Sequence, residues 1–440
     1  MGREIEGDMN TSVHPFPQNK DFGPKIRHEL AEKIFDDLRE MSIDGPGVSR
    51  ATYGPGETAA MKYCAEMAEN EGLSSHYDDA ANLIIELSGK EPNEPFLICG
   101  SHLDSVPQGG NFDGAAGVVA GLITLIRMKR EGVVPPRTIR VMALRGEESA
   151  WFGQCYLGSG ALFGKLTKED LDRGHRSTGK TLESYMAEAG AKTDAILAGD
   201  NLIDASSIAG YIELHIEQGP VMVARNLPVA VVTGLRGNIR HQTIVCKGDA
   251  GHAGAVPRWL RHDAVLATAD LLHRFDSHWA ALQERGLDLV LTAGMLMTNS
   301  DDHAMSRIPG ECQFCLEIRS QSIDTLEAFY QLVRTEADAV ARERGVTFEF
   351  DERSLASPAV MDDRWIKHLL ECCKKNKLEA EAIPSGAGHD AAVFANADVP
   401  SAMIFVRNEN GSHNPNESME IEDFMYGVDV LYTALLDPPL

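Results

Sequence analysis

Pro95-Phe-Leu-Ile-Cys-Gly-Ser-His102, Asp113-Gly-Ala-Ala-Gly-Val-Val-Ala-Gly-Leu-Ile-Thr-Leu-Ile126 and Thr138-Ile-Arg-Val-Met-Ala-Leu144 follow one another along the chain and decide how it folds. The first and third are apolar runs of strand length. The second starts on an N-cap type of residue, Asp113, and continues as an apolar helix. Strand, helix and strand in that order predict parallel pairing and an α/β layer architecture. Ligands in such folds gather beyond the carboxyl ends of the strands. Here the first strand ends in His102 and the next runs through Arg145-Gly into Glu147-Glu148. Tyr211-Ile-Glu-Leu-His215 also ends in a histidine, and Ala402-Met-Ile-Phe-Val406 leads through a short loop to His413. With Asp113 opening the helix, these residue types suit a two-metal hydrolytic centre.

Outward from this segment, helices are expected at 26–41 and 58–71. A change comes near Val231. From 238 to 350 the pattern predicts a strand, a helix (263–282), two strands (287–297 and 311–318), a helix (323–344) and a strand (346–350). That βαββαβ order is a ferredoxin-like α+β domain. The α/β character then returns with helices at 363–377 and 390–395 and a strand at 402–407. All the metal-type residues lie outside the inserted block, so residues 1–232 and 353–440 form a catalytic metal-binding domain and 233–352 a smaller domain nested within it.

At 440 residues, two domains are the natural division. A composition of 43% hydrophobic and 24% charged residues is that of a soluble globular protein. A formal charge of −25 speaks against nucleic acid and anionic lipid, which need a basic face. The start, Met1-Gly-Arg-Glu-Ile-Glu, has neither the apolar run of a secretory signal nor the Ser or Thr of a myristoylation site. The longest apolar stretch, 117–126, is about half of a membrane span. Eight scattered cysteines, with no disulfide-type framework, point to a reducing cytosol. Cys312-Gln-Phe-Cys315 has metal-motif spacing but lies on an alternating strand. Residues three apart there face opposite sides, so the two thiols are expected to pack rather than to share an ion.

His102-Leu-Asp104 places a carboxylate where it can fix the imidazole tautomer. Glycines around Asp113 permit close backbone approach, although Asp113 would also serve as a plain helix cap. Adjacent Glu147 and Glu148 repel unless a cation lies between them or one is protonated. One can bind metal while the other, uncoordinated, takes a proton from the attacking water. If His215 faces the site, strand alternation sends Glu217 the same way, with Gln218 in the turn.

In combination Gly-Ser-His-x-Asp-Ser-Val, Glu-Glu, His-Ile-Glu-Gln-Gly and Gly-His-Asp-Ala resemble the bimetal amidohydrolases of the hydantoinase/carbamoylase type. These include N-carbamoyl-L-amino-acid amidohydrolases, allantoate amidohydrolases and bacterial β-ureidopropionases, relatives of aminoacylases and carboxypeptidase G-type metallopeptidases. The resemblance runs from about residue 22 to the C-terminus. It implies a zinc-peptidase-like catalytic domain, with a mixed and mostly parallel sheet, interrupted by a lid and dimerisation domain. It also implies a homodimer and two divalent metals, zinc or manganese, with cobalt or nickel possible. His102 and His215 would hold one metal, Glu148 and His413 the other, and Asp113 would bridge. Glu147 would be the general base, and Asp104, beside His102, would also belong to the catalytic set. His215 resembles the carbamoylase branch, because the peptidase relatives usually place a carboxylate there.

The same resemblance makes Gln218 a substrate contact. Gly251-His-Ala-Gly254 looks like a lid motif whose His252 reaches a neighbouring active site in a dimer. Arg319 would bind the substrate carboxylate together with backbone groups of the Gly386-Ala-Gly388 loop. Two positions depart from the family pattern. Ser306 stands where the carbamoylases usually have Asn, and Ala255-Val-Pro-Arg258 replaces Thr-Thr-Pro-Met. The expected reaction is hydrolysis of the carbamoyl C–N bond of a small ureido acid in the cytosol, with an aminoacylase or dipeptidase as the enzymatic rival and a metal-free binding protein as the non-enzymatic one.

Overall fold

In the computed structural model, which describes residues 22–440, the main elements follow one another as α1 (Pro24–Glu40), α2 (Pro55–Asn70), β1 (Ser74–Tyr77), β2 (Leu83–Leu87), β3 (Phe96–His102), α3 (Ala115–Glu131), β4 (Ile139–Leu144), β5 (Ile208–Ile216) and β6 (Val229–Leu235). Then come β7 (Gly237–Lys247), α4 (Ala264–Glu284), β8 (Val290–Thr292), β9 (Glu311–Ser320), α5 (Ile323–Arg344) and β10 (Thr347–Phe350). The chain ends with α6 (Asp363–Lys375), α7 (Asp390–Ala395), β11 (Ser401–Val406) and α8 (Ile421–Leu436). The N-terminal hexapeptide discussed above lies outside the described residues.

Two units emerge. One comprises residues up to Thr233, with Met361–Ile383 and His389–Leu440. Its sheet runs β6-β11-β5-β3-β4-β2-β1, and the four strands β11, β5, β3 and β4 are parallel. The flanking pairs are antiparallel, so the sheet is mixed. Parallel strands must be covered on both faces, which explains their near-continuous apolar sequences. Helix α3 is buried along most of its length. It lies on β3 and β5 with α8 against it, as suits a helix apolar on nearly all sides. Its close approach needs Gly117, where a Cβ would stand 2.4 Å from the Leu214 carbonyl oxygen.

The helix does not open at Asp113. Its N-cap is Gly114 at φ +65°, which leaves the Asp113 carboxylate free to point elsewhere. The four parallel strands all direct their carboxyl ends to one edge, where His102, the Glu147-Glu148 turn, His215 and the loop to His413 follow them.

The second unit spans Gly234–Val360 and includes Pro384–Gly388. Its sheet order is β8-β9-β7-β10, all antiparallel, with α4 and α5 packed on it. This is the βαββαβ arrangement expected of a ferredoxin-like domain. Asp263 and Ser322 cap α4 and α5 through the amides of Leu266 and Thr325. The strand expected at 287–297 is broken into Val290–Thr292 and Leu296–Met297, two separate pairings on β9. The unit also extends past the expected end at 352, because Ser354–Ala356 adds to the edge of β7. Cys312 is buried and Cys315 only partly so, as alternate strand positions require, and all eight cysteines are free thiols. Among the described residues no helix is long and apolar enough to cross a membrane.

Candidate metal centre

His102, Asp113 and His215 each bring one ligand-type atom within 4.8 Å of the others, and Asp113, Glu148 and His413 do the same. Asp113 belongs to both triads and divides its oxygens between them. Its Oδ1 faces His215 Nε2 at 3.2 Å and His102 Nε2 at 3.6 Å, and its Oδ2 faces His413 Nε2 at 3.3 Å. Glu148 Oε1 lies 3.1 Å from the same His413 nitrogen. His102, Asp113, Glu148 and His215 are buried, while the His413 side chain is about half exposed (52%).

Both buried imidazoles are oriented through Nδ1. His215 Nδ1 is 2.8 Å from the Ile216 carbonyl, and His102 Nδ1 is 3.1 Å from the Asp104 carbonyl. With Nδ1 engaged by these carbonyls, Nε2 is the nitrogen each ring turns toward Asp113, the one that would take a metal. Gly114 makes this possible, since a Cβ there would lie 2.4 Å from the His102 ring.

Asp104 does more than face His102. Its Oδ1 accepts from the Glu147 amide at 3.1 Å, its Oδ2 from the Glu148 amide at 3.2 Å and from Thr52 Oγ1 at 2.6 Å. One carboxylate therefore sets the imidazole of β3 and the two glutamates after β4 in a common frame. Glu147 belongs to neither triad, and its Oε2 lies 4.0 Å from His102 Nε2.

Four acidic side chains, Asp104, Asp113, Glu147 and Glu148, are buried around these imidazoles. Burial pushes the Glu147 carboxyl well above its usual range; His102 opposes that and Glu148 adds to it. Burial likewise raises Glu148. Burial acts to raise Asp113 too, but the bonds from His215 and His413 outweigh it and hold that carboxyl well below its normal range. His413, bonded to Asp113 and Glu148, is pushed up to about 10. Buried carboxylates gathered around imidazoles that turn their Nε2 atoms to one shared aspartate fit divalent ions with nitrogen and oxygen ligands.

Other expected contacts take less direct places. Gln218, at φ +62°, donates from Nε2 to Asp113 Oδ2 at 2.8 Å, while its Oε1 is buried with no hydrogen-bond partner among the described residues. Glu217 does not join the site. Strand β5 ends at Ile216, and the Glu217 carboxylate turns back to accept from the amides of Val221 and Met222, both at 2.8 Å. The residue that alternation does bring beside His215 is Glu213. It is fully buried, accepting from Ser101 Oγ at 2.6 Å and from the Ala391 amide at 2.8 Å.

Two supports, Glu417 and Arg50, carried no signal in the sequence, and a third, His389, entered only through the Gly-His-Asp-Ala motif. Glu417 Oε1 accepts from the amides of Phe112 and Asp113, and its Oε2 from Ser412 Oγ, tying the His413 loop to Asp113. Arg50 is fully buried and holds the loop between His102 and Asp113 through the Leu103 carbonyl and Asn111 Oδ1. His389 is buried with its ring 4.3 Å from that of His215, and burial, reinforced by His215, keeps its pKa well below normal.

His252, Ser306, Arg319 and Gly388 all belong to the second unit. His252 is exposed on a short ribbon opposite Arg307, and the Ser306 carbonyl accepts from the Ala253 amide at 2.7 Å. Arg319 Nη1 donates to the Gly386 carbonyl at 2.8 Å and its Nη2 to Glu317 at 3.0 Å, so it already touches the loop that contains Gly388.

A model of peptidase family M20/M25/M40 matches residues 98–437. An N-carbamoyl-L-amino-acid amidohydrolase from Pseudomonas sp. (strain NS671) is 30% identical over 391 residues, 89% of this chain and 93% of that protein. An allantoate amidohydrolase from Escherichia coli (strain K12) is 30% identical over 390 residues, 88% and 92% of the two chains. A hydantoinase/carbamoylase family amidase from Burkholderia ambifaria, known from its crystal structure, superposes with a TM-score of 0.83 at 25% identity, covering 93% of this chain and 95% of that one.

Proposed function

The chain belongs to peptidase family M20/M25/M40 as a metal-dependent amidohydrolase of the hydantoinase/carbamoylase kind, and from that premise we propose that it hydrolyses the carbamoyl C–N bond of an N-carbamoyl-L-amino acid. The observation that carries this reading is Asp113 sharing its two oxygens between two ligand triads. Those triads would hold two divalent ions, zinc or manganese, with His102 and His215 on one side and Glu148 and His413 on the other. Such ions, when bound, polarise a carbonyl and make water acidic enough to react at neutral pH.

The chain's own residues supply the rest. Glu147, uncoordinated and with its carboxyl raised by burial, takes the proton of the attacking water and delivers it to the leaving nitrogen. The C–N bond breaks, the amino acid leaves with its nitrogen protonated, and the carbamate that remains decomposes to ammonia and carbon dioxide. Asp104 keeps Glu147 and Glu148 aligned by accepting from both backbone amides. Gln218, whose Nε2 donates to Asp113 here, would offer its amide to the ureido group when Asp113 holds metal. Arg319 and the Gly388 backbone hold the substrate carboxylate, a two-point contact that suits a guanidinium. His252 stabilises the oxyanion, supplied across a homodimer formed by the inserted domain. Ser306, whose carbonyl anchors the turn after His252, would contact the substrate there.

Allantoate is the second reading, since its amidohydrolase is as similar to this chain as the carbamoylase. Side-by-side assay of allantoate, N-carbamoyl-L-amino acids, a β-ureido acid, an N-acetyl amino acid and a dipeptide separates these readings from β-ureidopropionase, aminoacylase and dipeptidase action on the same centre. Eight free thiols suit a cytosolic setting. The test is Glu147→Gln. We expect kcat on the best ureido acid to fall at least ~10²-fold while elemental analysis finds the same metal content as in wild type. Loss of a metal together with activity would show that the two glutamates have been assigned the wrong way round.

A further inference from the structure

The inserted domain holds a second concentration of charge, of opposite sign to the rest of the molecule. A cavity of ≈ 310 Å³ is lined by Arg258, Arg261, Asp263, Leu266 and Arg344. We propose that it is an oxyanion site taking one small oxyanion, a carboxylate of a dicarboxylic acid or inorganic phosphate, directly behind the turn that bears His252.

The charges in the cavity do not balance. Asp263 is the one carboxylate among its lining residues, and it is engaged as the cap of α4, accepting from the Leu266 amide at 3.1 Å. Its nearest approach to Arg261 is 3.7 Å. Arg344 is already paired with Asp270, a carboxylate outside the lining that accepts from its Nε at 2.9 Å and its Nη2 at 2.7 Å. Arg258 makes no hydrogen bond or ion pair through its side chain with any described residue. Counted with Asp270, three guanidinium groups face two carboxylates, which leaves one positive charge in excess, that of Arg258, beside the unused Nε–H of Arg261: a charge and a second donor for a small oxyanion. On a chain of net charge −25, solvation alone does not call for such a concentration.

Arg261 connects the cavity to the His252 turn. Its Nη2 donates to the carbonyls of Ala253 at 2.5 Å and Val256 at 3.2 Å. Its Nε is buried with no hydrogen-bond partner among the described residues, a donor that an oxyanion would satisfy. The turn itself closes through the amides of Ala255 and Val256 on the His252 carbonyl. An oxyanion on Arg258 and Arg261 would therefore brace the backbone that presents His252. The site stands on the geometry of the inserted domain alone; only its connection to turnover rests on the role given to His252 above.

The test is calorimetric titration of the full-length enzyme with phosphate and with malonate at constant ionic strength, in wild type and in Arg258→Gln. Arg258 is exposed and unpaired, so the variant should fold normally, as circular dichroism will show. We expect saturable binding in wild type that weakens roughly tenfold or more in the variant, the loss of one charge-assisted contact. Kinetics on ureido acids with one and with two carboxylates then identify the source of the anion. A kcat/KM loss in Arg258→Gln confined to the dicarboxylate means that the substrate supplies it. Equal behaviour of both substrates, with phosphate binding lost, means a free cellular anion. No saturable binding in wild type, or binding that Arg258→Gln leaves unchanged, overturns the proposal.

Discussion

Asp104 shows how one side chain can decide whether a constellation is assembled. It accepts from two consecutive amides and a threonine hydroxyl while its own backbone carbonyl orients His102. An asparagine there keeps the size but turns one of the acceptors into a donor aimed at an amide. Asp104→Asn is therefore expected to displace the Glu147-Glu148 turn and weaken metal binding by ~10- to 100-fold, the usual cost of disturbing a supporting partner. Competitive chelation would measure this. A variant that holds its metals as tightly as wild type would show that Asp104 is not what positions these ligands. The role of Asp104 was half legible in the sequence: the triplet His102-Leu-Asp104 announced a partner for the imidazole, but nothing local revealed that the same carboxylate reaches residues more than forty positions away.

Strand ends were the legible part of the architecture, because a parallel strand buried on both faces has an unbroken apolar sequence and whatever follows it stands out. Helix α5 begins at its Ser322 cap and ends where its periodicity places it, and the short α7 keeps its expected bounds without a side-chain cap. Alternation misled at Glu217, since a two-residue period holds only while the strand lasts, and β5 stops one residue earlier. Glu213, inside the strand, was the position to which the rule applied. The long strand expected from Leu287 failed for a related reason: an alternating composition cannot show where hydrogen bonding to β9 is interrupted. Packing between elements gives a sharper test at Gly117. In a helix interior, Gly→Ala normally gains up to ~1 kcal/mol from propensity. Here a Cβ would press on the Leu214 carbonyl and on Ser101, whose strands carry His215 and His102. Gly117→Ala should instead destabilise by about 1–3 kcal/mol, read as a lower denaturation midpoint in urea. A stabilised variant would mean that α3 has room to move away from β3 and β5.

On the scale of the whole molecule, the insertion separates the metal-type residues from His252, Ser306 and Arg319, which the chain places in different units. A cluster confined to one unit can hold ions, yet the proposed oxyanion and carboxylate contacts all come from the other. Two copies joined through a two-fold contact would let each inserted domain serve its neighbour, and a mixing experiment decides this. One subunit would carry His252→Ala and the other Glu147→Gln, each homodimer being inactive. If His252 acts across the dimer, the mixed species has one site with an intact Glu147 from its own chain and an intact His252 from the partner. The second site carries both defects. An equal mixture after full subunit exchange should then recover about a quarter of wild-type activity, because half of the dimers are mixed and each has one working site. If His252 acts within its own chain, every site in the mixed dimer has lost either the base or the histidine, and activity stays at the level of the parents. Native mass spectrometry of the mixture must establish that exchange took place. With exchange verified, activity at the parental level would place His252 in the service of its own subunit and remove the functional reason for proposing the dimer.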